Sequence, residues 1–267
     1  MLDNCFFVDI HCHLAKPSVG MYGKLGQSPD ELIERMNENG VDYTVVFSMV
    51  NNAGLTPDEL SRANDYVIEA IKKFPDRLIG FCLTTPRHGE HALKEINRCL
   101  NAGLQGIKLH PHLLGYFPID SALLDPIMQE ARSHSLPVLT HSDVNSKRCS
   151  PFQVAILADK YPEVPVIMAH WGMDSDYVHF APQLVKNRKN LFLDTSCTPN
   201  LPEFIFSRPS YEIPDQVLFG SDGPTLAIEV EIAKLRVAEK RYGMDPIGKK
   251  KILGKNAARI LGIVPNS

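Results

Sequence analysis

The sequence predicts an α/β protein, a (β/α)8 TIM barrel with an extra C-terminal helix. Three observations carry this. Eight short apolar runs alternate with helix patterns along 267 residues. The runs are β-branched and nearly continuously apolar, as strands buried on both faces of a parallel sheet are. Several of them end in His, Lys or Asp, where barrels of this kind carry their chemistry. A doubly wound open sheet is the alternative, but no glycine-rich dinucleotide fingerprint follows the first run. No linker or composition break is visible, so residues 1–267 read as one domain.

The strand runs are FFVDIHCH (6–13), YTVVFSM (43–49), LIGFCLTTP (78–86) and QGIKLHP (105–111). PVLTHS (137–142), PVIMAHWG (165–172), LFLDTS (191–196) and VLFGSDGP (217–224) follow. The first helix, 28–40, opens Ser-Pro-Asp-Glu, with Ser28 as N-cap and Pro29 in the first turn, and closes on Gly40. The second, 56–75, repeats that opening. Helix patterns over 89–103, 119–135, 150–162 and 176–190 come next, with Pro126 and Pro182 starting or distorting theirs. Residues 197–216 are proline-rich, so their helix is short or broken. A strong helix over 226–243 and a final one over 245–263 complete the chain.

Composition excludes several classes. A formal net charge of −3 argues against general nucleic-acid or anionic-membrane binding. Lys249–Lys251 is the only dense basic run and reads as a solvated helix face. Six cysteines form no CxxC pair and no disulfide framework, so a reducing, cytoplasmic compartment is expected. No stretch approaches the ~20 apolar residues of a membrane span. A homodimer stays open, because no interface signal is visible.

The chemistry lies at the strand ends. Alternate side chains of a strand share a face, so His11 and His13 point the same way, half of a metal site. Lys108 and His110 end the fourth strand, His141 the fifth, His170 the sixth and Asp222 the eighth. Each alone reads as packing or a turn cap. Together they converge over a barrel axis, which packing does not produce, since every buried polar group needs a partner. His88, His91 and His134 read as surface residues and His179 as structural. His110 and His112 are candidate substrate contacts. Lys16, Arg87, Lys147, Arg148 and Arg208 follow strand ends; two or more facing inward would imply an anionic substrate, with Arg148 a candidate binding residue. Trp171 and Tyr116 are candidates for a flat apolar wall, and Asp194 and Ser196 for support of the ligands.

The motifs VDIHCH, GIKLHP, LTHS, MAHWG, LFGSDGP and KILGKNAARILGI together resemble the amidohydrolase superfamily, in its amidohydrolase-related (amidohydrolase-2) group, across essentially the whole chain. The resemblance implies metal-dependent barrel chemistry with one or two divalent ions. His11, His13 and Asp222 would hold the more buried ion. His141 and His170 supply a second ion in two-metal members, bridged by a carboxylated Lys108. In one-metal members His141 joins the first set and His170 sits beside water or substrate. Lys108 is otherwise a cationic clamp for a carboxylate.

Zn²⁺ suits such donors best, with Mn²⁺, Fe²⁺ or Co²⁺ as alternatives. The implied reaction is hydrolysis of a C–N or C–O bond in a small amide, cyclic amide, lactone or ester. Asp222 would serve as general base, with His170 stabilising an oxyanion or assisting proton transfer. A metal-dependent decarboxylase or hydratase acting on an unsaturated or aromatic acid is the alternative. A non-catalytic metal-binding barrel is a third reading.

Overall fold

The structure is a computed structural model and describes residues 5–20, 23–50 and 54–264. The first half runs β1 (Val8–Gly20), β2 (Gly23–Gln27), α1 (Pro29–Asn39), β3 (Tyr43–Ser48), α2 (Pro57–Lys73), β4 (Leu78–Gly80), β5 (Cys82–Leu83), α3 (Glu90–Asn101) and β6 (Ile107–Leu109). Then come α4 (Asp125–Ser133), β7 (Val138–Thr140), α5 (Pro151–Lys160), β8 (Val166–Met168), α6 (Ala181–Val185) and β9 (Leu191–Asp194). The chain ends α7 (Arg208–Glu212), β10 (Val217–Leu218), α8 (Ile228–Val237), α9 (Pro246–Lys250) and α10 (Asn256–Leu261).

The strands pair in parallel in chain order, β1–β3–β4 and then β5 through β10. β4 and β5 are one strand that changes partner at Phe81. The Phe81 N–H donates to Val46 O at 2.9 Å and the Cys82 N–H to Gly106 O at 2.8 Å. The other seam is closed by Ile10 N–H to Phe219 O (2.9 Å), Asp222 N–H to His11 O (2.8 Å) and His13 N–H to Gly223 O (2.6 Å). These bonds join the first strand to the last and complete a barrel of the predicted class.

Two apolar layers follow from the strand period of two. One set of side chains, among them Ile10, Phe47, Phe81, Leu139, Ile167 and Leu218, fills the barrel interior. The other packs outward against the helices. Helix starts agree with the sequence signals: Ser28, Thr56 and Ser150 each make a reciprocal capping box, with a proline in the first turn. Gly40 closes α1 at φ 70°. Pro126 and Pro182 lie in the first turns of α4 and α6. The proline-rich stretch holds only a π-helical turn, Glu203–Ser207, and the short α7. The last helix is interrupted by a π-helical turn at Lys251–Lys255, where Gly254 meets Phe6: an added Cβ would lie 2.3 Å from Phe6 O.

Four expectations need correction. β1 runs on to Gly20 and turns back antiparallel as β2, a hairpin concealed because Pro17 and three nearby glycines break any alternating pattern. The sixth run stops at Met168, after which His170 and Trp171 turn left-handed at φ 65° and 55°. The helix expected over 176–190 contracts to a 3-10 turn and the five residues of α6. Lys249 is buried against Glu239 at 2.6 Å rather than solvated. No helix among the described residues is long and apolar enough to cross a membrane.

The barrel interior depends on one complementary pair. The Phe81 ring is fully buried, and a Cβ on Gly106 would lie 2.5 Å from it. Phe81→Ala should cost about 3–5 kcal/mol of stability through the cavity it leaves. Gly106→Ala should cost about 1–3 kcal/mol through overpacking. Urea unfolding of the purified variants measures both, and unchanged midpoints would show that this layer is not close-packed.

Candidate metal centre and its cavity

His11 and His13 leave β1 on the same face, as their parity requires. Both Nε2 atoms reach the same carboxylate oxygen, Asp222 Oδ1, at 3.2 and 3.1 Å. Asp222 arrives from the turn after β10, at φ 59°, with its N–H on His11 O. Burial opposes its charge, but hydrogen bonds from the two histidines hold the carboxyl well below the usual carboxylate range. Burial and Lys108 pull the His11 imidazole down, yet Asp194 and Asp222 outweigh them and raise its pKa. Burial takes His13 down to about 4.

Asp194, at the end of β9, is the buried support for this group. Its Oδ2 accepts from His11 Nδ1 at 2.7 Å. Its Oδ1 accepts from His170 N (3.0 Å), Ser196 N (3.0 Å) and Ser196 Oγ (2.6 Å). These bonds fix tautomers. With its Nδ1–H on a carboxylate, His11 turns Nε2 to Asp222, as a donor when protonated and as a lone pair for a cation when neutral. His170 Nδ1 lies 3.0 Å from Ser196 Oγ and 3.4 Å from Ser196 O. The Ser196 hydroxyl proton is given to Asp194, so Nδ1 carries the hydrogen and His170 Nε2 is an acceptor. Burial brings His170 down to about 4.

Opposite them, Lys108 is fully buried, with Nζ 3.1 Å from His11 Nε2 and 4.3 Å from the Phe47 ring centroid. Burial lowers its pKa to about 7. His110 shares the face of Lys108, as predicted. Its Nδ1 accepts from Leu113 N–H at 3.3 Å, so its Nε2 carries the hydrogen and is a donor. His141 stacks on His110 at 4.2 Å and 10° between rings. Burial also drives both of these histidines far down, His110 to about 2.

A cavity of about 300 Å³ opens over these groups. His13, Lys108, His110, His141, His170 and Asp222 form its polar end. Met49, Val50, Leu83, Leu113 and Met173 form its apolar wall.

Several expected residues lie elsewhere. Arg148 does not line the cavity; its guanidinium sits 5.2 Å over the Tyr116 ring. Arg87 is bonded to Gly115 O and Tyr116 O, and Arg208 to Glu203. Lys108 is thus the one lysine or arginine in the lining among the described residues. Trp171 is packed inside with its Nε1–H on Val178 O, and Tyr116 is more than half exposed, so neither forms the wall. His112 also stays out of the lining. His179 is structural, edge-on to Phe204 at 4.3 Å.

The donor set fits a divalent cation. Four-coordinate ligands at about 2.0–2.1 Å stand about 3.3 Å apart. The His11–Asp222 and His13–Asp222 separations are 3.2 and 3.1 Å. The carboxylate behind His11 is the support a ligating imidazole needs. His141 is not part of this trio; its ligand atom groups within 4.8 Å with those of His112 and Cys149. His141 nonetheless lines the same cavity as His13, His170 and Asp222. One cavity residue, Cys197, had no sequence signal. It follows Ser196 at the opposite strand parity and enters only because its backbone turns left-handed, φ 52°.

The amidohydrolase family model (Amidohydro_2) matches residues 8–263. A solved 2,6-dihydroxybenzoate decarboxylase from Rhizobium superposes with TM-score 0.78 at 16% identity, covering 97% of this chain and 99% of that one. The 4-oxalomesaconate hydratase of Rhodopseudomonas palustris gives 0.69 at 20% identity, covering 96% of each chain. A probable 2-pyrone-4,6-dicarboxylic acid hydrolase from Acinetobacter baumannii gives 0.69 at 17% identity, covering 97% of this chain and 100% of that one. No curated protein matches the chain by sequence. At these identities the superpositions establish the fold, and the family match establishes the rest: the chain belongs to the amidohydrolase-2 family of barrel enzymes.

Proposed function

We propose that this enzyme is a metal-dependent hydrolase that opens a C–N or C–O bond in a small carboxylic derivative: an amide, cyclic amide, lactone or ester. The observation that carries the reading is the meeting of His11, His13 and Asp222 at the wall of a cavity of about 300 Å³. Zn²⁺ suits two imidazoles and a carboxylate best. When bound, the ion supplies Lewis acidity and lowers the pKa of water to about 7.

The chain's own residues divide the remaining work. Asp222, ionised and open to the cavity, takes the proton of the attacking water and returns it to the leaving group. His170 Nε2, an acceptor in this tautomer, relays protons; an oxyanion role would need a hydrogen that His170 carries on Nδ1 instead. His110 Nε2–H is the neutral donor suited to a developing oxyanion or a substrate carboxylate. Lys108 supplies the cation of the lining, and the methionines and leucines hold the apolar body of the substrate. Arg148 and His112 are left without a direct substrate contact.

A second reading, a decarboxylase or hydratase acting on an aromatic or unsaturated acid, has its own support. The wall is apolar and the lining carries a single lysine, which suits a flat ring with one carboxylate. Two of the superposed enzymes are a 2,6-dihydroxybenzoate decarboxylase and a 4-oxalomesaconate hydratase.

Reconstitution with Zn²⁺ and with Mn²⁺, followed by proton-release assays on lactones and amides and by carbon dioxide assays on hydroxybenzoates, decides between them. Hydrolysis abolished by chelation and restored by metal is the expected result. Carbon dioxide release without hydrolysis moves the assignment to the lyase. His11→Ala should lose the bound ion, and Asp222→Asn should lower turnover about 10²–10⁴-fold. Full metal content in His11→Ala, by elemental analysis, would remove the basis of the site. Asp194→Asn should weaken metal affinity or activity about 10–100-fold, because it releases the His11 ring. Metal-competition titration measures this, and wild-type affinity would show that the carboxylate does not orient the ligand.

A further inference from the structure

We propose that His170, Cys197 and Asp222 form a second cation position beside the first, with the Asp222 carboxylate shared between the two. The inference rests on the metal-dependent reading above and extends it to a thiolate-containing site; with that site filled, His170 is a ligand rather than a proton relay. The ligand atoms of the three residues lie within 4.8 Å of one another, and all three line the same cavity. They come from the ends of three successive strands, β8, β9 and β10.

The donors suit an ion. His170 has its Nδ1 committed to Ser196, so Nε2 offers its lone pair toward the cavity. Asp222 uses Oδ1 toward His11 and His13, and a carboxylate has a second oxygen with which to bridge. Cys197 is a free, half-buried cysteine. Its thiol gives its proton to solvent as the sulfur–metal bond forms.

Backbone geometry supports the same trio. His170, Cys197 and Asp222 all have left-handed φ, at 65°, 52° and 59°. Such conformations cost about 1–3 kcal/mol each in a non-glycine residue and persist at sites where the side-chain direction matters. Three of the seven described non-glycine residues at positive φ are these candidate ligands. One thiolate beside an imidazole and a carboxylate selects Zn²⁺ or Co²⁺ over Mg²⁺ or Ca²⁺. The arrangement requires no carboxylation of Lys108, since Asp222 does the bridging.

Cobalt titration of the metal-free protein tests this. The wild type should take up two equivalents and develop near-ultraviolet thiolate-to-cobalt charge-transfer absorption. Cys197→Ser should take up one equivalent and show no such absorption. Cys149→Ser is the control, because Cys149 groups with His112 and His141, and it should keep the band. The proposal is overturned if saturated wild type shows no thiolate band, if Cys197→Ser keeps it, or if Cys149→Ser alone loses it. One equivalent without the band overturns the second position and leaves the first standing. No bound cobalt at all overturns both.

Discussion

The Asp194 carboxylate is the constraint on which the site depends. It is completely buried, and isolating a charge there costs several kcal/mol unless it is paired. Four donors pair it: one ring nitrogen, two backbone amides and one hydroxyl. In satisfying it they fix which nitrogen of His11 and of His170 carries a hydrogen. His170 then presents an Nε2 lone pair, and His11 turns to Asp222 an Nε2 that a cation can take in place of a proton. Cation affinity and proton acceptance above the barrel trace back to this one acidic side chain at the end of β9.

A rigid floor makes such positioning hold. Phe81, Ile10 and their neighbours close-pack the barrel below the histidines. The residues above it are strained, with left-handed backbone at His170, Cys197 and Asp222. Tight packing below and strain above are linked, because only an over-determined surrounding keeps a non-glycine residue at positive φ. The same contrast explains the electrostatics. Burial drives His13, His110, His141 and His170 toward neutrality, and neutral imidazoles are the form that binds metal.

Much of this was legible in the sequence, and the rest was not for physical reasons. Each of the eight apolar runs contains a strand, because burial on both faces leaves an unambiguous pattern. The period of two placed His11 with His13 and Lys108 with His110. Asp194, the last residue of β9, and Ser196, two residues on, stand where ligand support was expected. Beyond the strand ends the chain follows loop paths that periodicity does not describe. His141 stacks on His110, and Arg148 turns to Tyr116. Cys197 was hidden because a single left-handed residue reverses its parity. The β1–β2 hairpin was hidden because glycine and proline carry no hydropathy signal.

The closing seam sets an order of events during synthesis. The first strand bonds to residues 219–223, and Gly254 lies against Phe6. A ribosome releases His11 and His13 about two hundred residues before their carboxylate partner, Asp222, exists. Until then the nascent barrel has an open edge, and Asp194, behind His11, is the one acid the pair can meet. Ion capture by His11, His13 and Asp222 is therefore a late event: a molecule that holds a metal there has already closed its barrel.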